Sequence, residues 1–302
     1  MNIIVTGGCG FIGSNLVDEL VKQGHDVIVI DDLSSDAHDQ FYFNEQVKYY
    51  HHDITNKHIV HGVFQRHPPE YVFHLAAEAR IQNCISDPSK ALDTNTVGTQ
   101  NVLEAAKRVK TKRVMLSSTS AIYGLSSNDV QKESDTPDCL NAYSYSKFFS
   151  EGLCKMYSNL YGLDTACFRY FNVYGNRQPI RGSYAPVIGV FSRQKKNNQA
   201  MTVVGDGLQT RDYVHVSDIV SANIAAMNHT ESLAGKIMNV GTGTSYSVLD
   251  VAKMMGGEYT HVAPRDGEAR QTCANISVIQ ETLGWKPTKS LLQYMENKEY
   301  DT

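Results

Sequence analysis

Residues 1–32 read MNIIVTGGCGFIGSNLVDELVKQGHDVIVIDD, and this stretch decides the fold. Its short β-branched run, residues 2–6, is typical of a buried parallel strand. Glycines follow at three-residue spacing, where a missing Cβ permits a tight turn, a pyrophosphate near the backbone and close helix packing. A helix is predicted from about Ser14, with the free N–H groups of its first turn facing the phosphates. The turn residues expected at a dinucleotide are Gly7, Gly10, Phe11, Ile12 and Gly13.

The second strand, residues 26–30, brings Asp31 and Asp32 to its carboxyl end, about 20 residues after the glycines. A carboxylate at this place accepts both ribose hydroxyls of an adenosine and repels a 2′-phosphate. The loop that follows contains Ser34, expected at the cofactor, but no cation that would receive such a phosphate. The pattern therefore predicts NAD rather than NADP. A glycine-rich turn without a ligand is the alternative, and the ordered strand, glycines, helix, strand and acid disfavour it.

Composition sets broader limits on function. The chain has 302 residues and a formal net charge of −4, which gives no general attraction to nucleic acid or to an anionic membrane. Six cysteines show neither metal-ligand spacing nor a disulfide-scaffold pattern, so we expect free thiols in a reducing cytoplasm and no metal. A strand next to Met1 leaves no room for a signal peptide, and no apolar run approaches the length of a membrane span.

The doubly wound pattern continues through strands predicted at residues 47–50 and 71–75. At the end of the first of these strands, Asp53 can accept a hydrogen bond from an adenine amino group. At the end of the second, small residues let the backbone pass close to a ligand, although ordinary small-residue packing is the alternative. Paired histidines at 51 and 52 suggest a metal, but no carboxylate or cysteine completes a ligand set. The residues expected at the cofactor here are Asp53, Ile54, Leu75, Ala76 and Ala77.

Asp87-Pro88 predicts the start of a helix that runs to about residue 106 and carries Asn95, another expected cofactor residue. The next strand, residues 112–116, is followed by four hydroxyl residues, 117–120. Serine runs in loops are usually turn chemistry. Here the run stands at the carboxyl end of a parallel strand, where doubly wound sheets bind ligands. We therefore predict Ser117 and Thr119 as site residues.

Tyr143 and Lys147 are four residues apart, so they share one face of a predicted helix that ends near Tyr161. A cation close to a phenol lowers the phenol pKa from about 10. Tyr143 can then exchange a proton near neutral pH. Alone, this pair equally fits a solvated helix face. Beside a dinucleotide turn and a hydroxyl run, the spacing favours a catalytic pair.

Together these motifs resemble the extended short-chain dehydrogenase/reductase family, and within it the UDP-hexose 4-epimerases. The resemblance covers nearly the whole chain and extends over residues 169–175, 211–218 and 239–241. It implies an α/β fold with a Rossmann doubly wound parallel sheet in residues 1–175, and later strand returns around 212–241. Residues 176–302 would mainly form a smaller α/β domain for a nucleotide-sugar. The family also implies a homodimer, in which the helices after Asp87 and Tyr143 form a four-helix bundle.

The resemblance also assigns residues to the substrate. The cations Arg211 and Arg265 match phosphate or ribose contacts, because guanidinium groups pair bidentately with phosphate oxygens. Epimerases confined to plain hexoses resemble one another in having a bulky tyrosine where this chain has Thr272. A threonine there leaves room for an acetamido group. The carried-over substrate residues are Thr119, Asn172, Val187, Arg211, Arg265, Glu268 and Thr272, and Tyr170 joins the cofactor residues.

The implied reaction is the 4-epimerisation of UDP-glucose, UDP-galactose and their N-acetyl forms. Tyr143, as a phenolate beside Lys147 and the nicotinamide, removes the proton of the sugar 4-hydroxyl while C4 gives hydride to NAD, and Thr119 binds the oxygen. The 4-keto sugar then rotates and takes the hydride back on its other face. A UDP-glucuronate 4-epimerase, a decarboxylase and a dehydratase are alternatives, the last disfavoured because Ser120 and Ala121, not an acid, follow the threonine. A non-catalytic dinucleotide-binding scaffold is more distant, since it could dispense with the tyrosine and lysine.

Overall fold

The computed structural model describes residues 1–35, 40–126, 128–180, 185–264 and 269–301. In this part of the chain the strands are β1 (Asn2–Thr6), β2 (Asp26–Asp31), β3 (Lys48–His51), β4 (Tyr71–His74), β5 (Arg113–Thr119), β6 (Asp164–Tyr170), β7 (Asn172–Tyr174), β8 (Met201–Val204), β9 (Thr210–His215), β10 (Lys236–Val240), β11 (Ser245–Ser247) and β12 (Tyr259–Val262). The α-helices are α1 (Phe11–Lys22), α2 (Lys57–Arg66), α3 (Ile81–Ser86), α4 (Pro88–Leu92), α5 (Gly98–Arg108), α6 (Ala142–Tyr161), α7 (Val187–Lys196), α8 (Val216–Asn228), α9 (Val248–Met255), α10 (Ser277–Leu283) and α11 (Leu291–Glu296).

Seven parallel strands form the central sheet in the order β10-β6-β5-β4-β1-β2-β3. From β1 the chain moves outward through β2 and β3, then returns to the other side of β1 at β4. Ile4 accordingly pairs with Ile28 on one side and with Val72 on the other. This arrangement confirms the predicted doubly wound sheet, and the reversal between β1 and β4 opens a crevice at their carboxyl ends.

Helices cover both faces of the sheet, as the alternating side chains of its buried strands require. On one face, Leu16 of α1 and Ile219 of α8 pack with Ile3 and its neighbours. On the other face, helices α2, α5 and α6 pack against Ile4 and Val72. Alternate residues of β1 therefore pack into the same core, and adjacent residues pack into the cores on opposite faces of the sheet.

The first helix begins at Phe11, three residues before the predicted start at Ser14. Gly10 is its extended N-cap residue, and the Ser14 N–H donates to the Gly10 carbonyl oxygen at 2.9 Å. The glycine motif therefore contains the first turn of the helix. As a result, the unpaired N–H groups of that turn lie directly in the glycine turn.

The helix predicted after Asp87 contains an irregularity that periodicity does not reveal. The Asp87 carboxylate caps α4 by accepting from the Lys90 N–H at 3.0 Å, as expected. A π-helical turn, Asp93–Val97, then joins α4 to α5. Such a turn inserts one residue and redirects side chains, often at functional sites. Here it places Asn95 in the interior, where 1% of the residue is exposed.

A smaller part of the molecule carries its own core. Strands β7, β9 and β11 form one small sheet, and β8 and β12 form another. Helices α7, α9 and α11 pack on them around Tyr174, Phe191 and Val251. Strand β10 returns to the central sheet beside β6, within the region predicted for such returns. Among the described residues, no helix is both long and apolar enough to cross a membrane.

Candidate active site

A cleft of about 340 Å³ lies at the carboxyl ends of β1, β2, β4 and β5. Its position follows from the strand order, which reverses between β1 and β4. The cleft brings together most of the residues that the sequence predicted for the cofactor and for catalysis. Those that line it are Gly7, Gly10, Phe11, Ile12, Gly13, Asp31, Asp32, Ser34, Ile54, Leu75, Ala76, Ala77, Ser117, Thr119, Tyr143, Lys147 and Tyr170.

The glycine turn can form one wall of the cleft because Gly7 and Gly13 have no side chains. Gly7 has a φ of +71°, and a Cβ there would lie 2.5 Å from the backbone nitrogen of Ala76. A Cβ on Gly13 would collide with the Gly7 carbonyl oxygen. The turn consequently packs against the segment after β4 while the first turn of α1 faces the cleft. This cradle suits a pyrophosphate at a helix N-terminus.

Asp31 is held in place by the backbone around it. Its Oδ2 accepts a hydrogen bond from the Cys9 N–H, and its Oδ1 accepts one from the Leu33 N–H, both at 2.9 Å. Burial raises the pKa of Asp31, while these two N–H donors act in the opposite direction. The carboxylate therefore joins the glycine turn to the end of β2 and faces the cleft. A fixed acid at this point matches the ribose of an adenosine.

Asp53 does not line the cleft, although its neighbours His52 and Ile54 do. It is exposed, and its Oδ1 accepts a hydrogen bond from the Thr55 N–H at 2.8 Å. The aspartate thus forms a local turn with its own backbone, a common alternative for this residue type. Its expected contact with adenine stays a prediction.

Asn95 also lies outside the cleft, behind its wall. Its Oδ1 accepts from the Glu78 N–H at 2.8 Å, and its Nδ2 donates to the Glu78 carbonyl oxygen at 3.0 Å. The same Nδ2 lies 2.9 Å from the Ser146 Oγ in α6. Glu78 lines the cleft, and Ser146 directly precedes Lys147. Asn95 therefore fixes the segment after β4 against the catalytic helix, and a direct cofactor contact stays a prediction.

The three predicted catalytic residues come from the end of β5 and the first turns of α6. Tyr143 and Thr119 both line the cleft, and the Thr119 side chain is close enough to lower the pKa of the tyrosine against the effect of burial. The Lys147 Nζ donates to the Ser117 carbonyl oxygen at 2.8 Å. Helix α6 presents both residues on one face because an Asn141 capping box fixes its start. An oxygen bound between the Tyr143 and Thr119 hydroxyls would have a proton donor and a second hydrogen-bond partner.

Burial opposes the expected phenolate form of Tyr143. It raises the pKa of this phenol to about 12, with the nearby Thr119 hydroxyl acting in the opposite direction. Burial lowers the pKa of Lys147 to about 8. The physical reason is that a dry site disfavours the charged form of both groups. Lys147 alone therefore does not produce the phenolate.

Strands β6 and β7 supply the opposite wall of the cleft, with Tyr170, Phe171 and Val173. The Tyr170 hydroxyl accepts a hydrogen bond from the Asn223 Nδ2 at 2.7 Å, which anchors the ring to α8. Burial raises the pKa of Tyr170 well above its usual value. This side chain is thus a neutral, fixed part of the wall.

Several predicted substrate residues lie near one another beyond this wall. The Asn172 Nδ2 is 3.4 Å from the Thr272 Oγ1 and donates to the Asp212 carbonyl oxygen at 3.0 Å. The Thr272 N–H donates to the Thr210 carbonyl oxygen at 3.1 Å, and the Nη1 of Arg211 donates to the same oxygen at 2.8 Å.

Val187, another predicted substrate residue, is not in this group. Val187 begins α7 and packs on the core of the smaller part. Arg265 and Glu268 lie outside the described residues.

The cleft lining also includes polar residues that the sequence interpretation did not single out, among them Glu78, Arg80, Lys90 and Thr94. Glu78 and Arg80 follow β4, so their position after a parallel strand was a signal that could have found them. Lys90 and Thr94 lie on the helix after Asp87 and reach the cleft only because of how that helix packs. The Glu78 Oε1 accepts from the Arg80 N–H at 3.2 Å, which holds the carboxylate close to its own backbone.

A seven-stranded Rossmann sheet with a dinucleotide cradle and a tyrosine–lysine pair defines a class of NAD-dependent enzymes. The family model described as "NAD dependent epimerase/dehydratase family" matches residues 3–241. A putative UDP-glucose 4-epimerase of Methanocaldococcus jannaschii is 34% identical, over 98% of each chain. A UDP-N-acetyl-alpha-D-glucosaminuronate decarboxylase of Bacillus cytotoxicus is 37% identical over 83% of this chain and 78% of its own length.

Solved structures agree with these relatives. The UDP-glucose 4-epimerase of Thermotoga maritima, solved with UDP-glucose, has a TM-score of 0.93 and 33% identity over 100% of this chain and 98% of its own. The UDP-N-acetylglucosamine 4-epimerase of Methanobrevibacter ruminantium has a TM-score of 0.90 and 29% identity over 100% and 96%. The chain therefore belongs to the NAD-dependent epimerase/dehydratase family. It is an enzyme, its cofactor is NAD, and the predicted family, fold and cofactor are confirmed.

Proposed function

We propose that this enzyme interconverts the C4 epimers of a UDP-hexose through a 4-keto sugar. The observation that carries the proposal is the placement of Tyr143, Thr119 and Lys147 in the same cleft as the dinucleotide cradle. A bound hydroxyl can be deprotonated and reprotonated there beside the cofactor. The relatives named above as UDP-sugar 4-epimerases support the same reaction.

The side chains of the cleft divide the work of the reaction. NAD, when bound, supplies the acceptor and then the donor of the C4 hydride. Tyr143, once it has lost its own proton, takes the proton of the 4-hydroxyl as a phenolate and later returns it, and Thr119 holds that oxygen in place. The Lys147 ammonium, fixed on the Ser117 carbonyl, adds positive charge that favours proton loss from the tyrosine. Gly7, Gly13 and Asp31 would hold the cofactor.

The sequence after Thr119 argues against elimination. Residues Ser120–Tyr123 form a 3₁₀ turn capped by the Thr119 hydroxyl, which accepts from the Ala121 N–H at 3.1 Å. No carboxylate stands in this turn to handle a second proton transfer. Decarboxylation of a UDP-uronate is the second candidate, and Arg80 in the cleft favours it because a guanidinium pairs well with a carboxylate.

The N-acetyl forms are proposed as substrates because of Thr272. Its Oγ1 lies 3.4 Å from the Asn172 Nδ2, and its backbone is fixed on β9 by the Thr210 carbonyl oxygen. A short side chain at this point leaves space for an acetamido group at C2, which a tyrosine would fill. We therefore expect UDP-N-acetylglucosamine and its galacto epimer to be turned over at least as well as the plain hexoses.

A homodimer is proposed from the outer face of α6. Tyr145, Phe149 and Leu160 are 59%, 57% and 69% exposed and lie on one face of the helix by their spacing. Large aromatic and aliphatic side chains that share one helix face mark an interaction surface. A second copy of the chain would cover it by pairing α6 with the helix after Asp87. A cytoplasmic location is proposed because all six thiols are free.

The direct test is to incubate the purified chain with UDP-glucose, UDP-galactose, the two N-acetyl forms and UDP-glucuronate, and to separate the products. We expect C4 epimers of the hexoses and N-acetylhexosamines without added cofactor. Release of carbon dioxide from the uronate would favour decarboxylation. Failure to form any C4 epimer would contradict the proposal.

Thr272→Tyr tests the sugar preference. The larger side chain should depress kcat/KM for UDP-N-acetylglucosamine far more than for UDP-glucose, because it fills the space for the acetamido group. Thr272→Val is the matched control, since it removes the hydroxyl but keeps the volume, and it should leave the ratio of the two substrates unchanged. Equal losses on both sugars in the tyrosine variant would remove Thr272 from the C2 pocket.

A further inference from the structure

A charged pair that the proposed reaction does not use is buried next to the catalytic strand. Glu151 of α6 and Arg169 of β6 have side chains that are 1% and 2% exposed. Arg169 donates from Nε to Oε1 at 2.9 Å and from Nη2 to Oε2 at 2.8 Å. Desolvating such a pair is costly, and a hydrophobic replacement is often as stable. Its presence here therefore calls for a role beyond stability.

Glu151 also binds the residue that lies between two parts of the catalytic site. The Ser118 Oγ donates to the Glu151 Oε1 at 2.6 Å. On one side of Ser118, the Ser117 carbonyl accepts the Lys147 ammonium at 2.8 Å. On the other side, Thr119 lines the cleft together with Tyr143. One carboxylate thus fixes the backbone that positions both catalytic partners.

Glu151 further contributes charge one helical turn after Lys147. It acts to raise the pKa of Lys147, against the larger lowering effect of burial. Two of the other nearby titratable groups are neutral near pH 7, because burial raises the pKa of Cys84 to about 11 and lowers that of His74 to about 3. The titratable groups facing Lys147 are Tyr143, Glu151 and Cys154 on α6, Cys84 on α3, Cys167 with Arg169 on β6, and His74 on β4.

We propose that Glu151 is a positioning residue of the reaction, which holds Ser118 in place and keeps Lys147 protonated while Arg169 orients its carboxylate. The proposal rests on the proposed function for the identity of the substrate. It concerns residues that touch neither the sugar nor the cofactor. The hold on Ser118 and the charge near Lys147 are the two parts of the proposal, and they predict different changes in kcat and in its pH dependence.

Glu151→Gln should remove the charge and weaken the positioning, because its amide oxygen can still accept from Ser118 but its amide nitrogen cannot accept from Arg169. We expect kcat to fall by about tenfold, because the hydrogen bond to Ser118 is no longer charge-assisted. The fall of kcat at high pH, expected near pH 8 in the unmodified enzyme, should move to lower pH, because Lys147 loses a nearby negative charge. Ser118→Ala should lower kcat less and leave the pH limb in place, because the charge remains.

Asp164→Asn provides a matched control. Asp164 of β6 pairs with Arg113 of β5 at 2.6 Å, at the ends of these strands that lie away from the cleft. This variant loses a buried arginine–carboxylate pair of the same kind. It should lower the melting temperature while kcat and the pH limb stay those of the unmodified enzyme.

The measurements are kcat against pH, melting temperature, and the titration of Lys147 by NMR of ¹³C-labelled lysine, assigned with Lys147→Arg. The NMR titration needs no substrate, so a lack of turnover would count against the proposed function and leave this inference testable. Should Glu151→Gln not fold, Ser118→Ala still tests the positioning part. Unchanged kcat and an unshifted Lys147 titration in Glu151→Gln, unchanged kcat in Ser118→Ala, or equal effects from Asp164→Asn would overturn the proposal.

Discussion

Tyr143 and Lys147 stand one helical turn apart, and burial drives both toward their neutral forms. The pKa of the tyrosine rises to about 12 and that of the lysine falls to about 8. A nearby opposite charge lowers the pKa of a phenol by about 1–3 units, so the Lys147 ammonium acts against the effect of burial on Tyr143. To accept the proton of the 4-hydroxyl, Tyr143 must first lose its own proton, and the positive charges of Lys147 and of bound NAD would favour that loss.

Among single residues, the variant Tyr143→Phe gives the clearest test of the mechanism. It removes the acid–base group but keeps the ring, so kcat should fall by about 10²–10⁴-fold while NAD remains bound. Turnover and mass spectrometry of the denatured protein would measure the two effects. Tyr145→Phe is the control, because its side chain lies on the exposed face of the same helix. A Tyr143→Phe enzyme that retains more than about a tenth of the activity would exclude the tyrosine from the mechanism.

Single residues also show where sequence interpretation reaches its limit. The cleft residues of the glycine turn, β2, β4 and β5 were predictable because parallel strands bring their carboxyl ends to one edge. Asp53 does not line the cleft, because its carboxylate accepts a hydrogen bond from the nearby Thr55 N–H. The environment of Glu151 depends on Arg169 and Ser118, which the folded sheet brings next to it. No local pattern in the chain reveals such a contact.

Among the elements, strands β1 to β5 were the most predictable, since most of them are short apolar runs ended by glycine, proline or polar residues. Helix α6 was equally clear, and Gly162 ends it in the left-handed conformation, as its position suggests. The π turn of residues 93–97 was not predictable, because a shift of one residue in hydrogen bonding leaves the hydrophobic pattern nearly unchanged. That turn contains Asn95, whose buried position behind the cleft wall was therefore not predictable.

The glycine turn offers a test of how elements pack. Gly7→Ala should lose NAD and stability, because the residue needs a φ of +71° and its Cβ would meet the Ala76 backbone. Gly24→Ala is the matched control, with a φ of +79° and open space around its Cβ. It should lower the free energy of unfolding by only about 1–2 kcal/mol, which is the cost of the left-handed conformation for a residue with a Cβ. NAD content and thermal unfolding distinguish the two variants, and equal effects would mean that the contact with Ala76 is unimportant.

At the scale of the whole molecule, we propose that a second copy of the chain covers the exposed face of α6. Phe149→Glu and Leu160→Glu place charges on that face, so they should convert a dimer into a monomer of 33.6 kDa. Light scattering coupled to size-exclusion chromatography would measure the mass. Leu208→Glu is the control, since Leu208 is 54% exposed and lies outside α6. If the unmodified chain has the mass of one copy, the proposed dimer is wrong.

The central claim is that the hydrogen at C4 leaves as hydride, and that the same hydrogen returns. UDP-galactose labelled with deuterium at C4 tests it most directly, by mass spectrometry and NMR of the UDP-glucose formed in ordinary water. Hydride does not exchange with water, whereas a proton held by Tyr143 does. We predict that the product retains deuterium at C4 and gains none of the solvent hydrogen there. Product with protium at C4 would contradict the account.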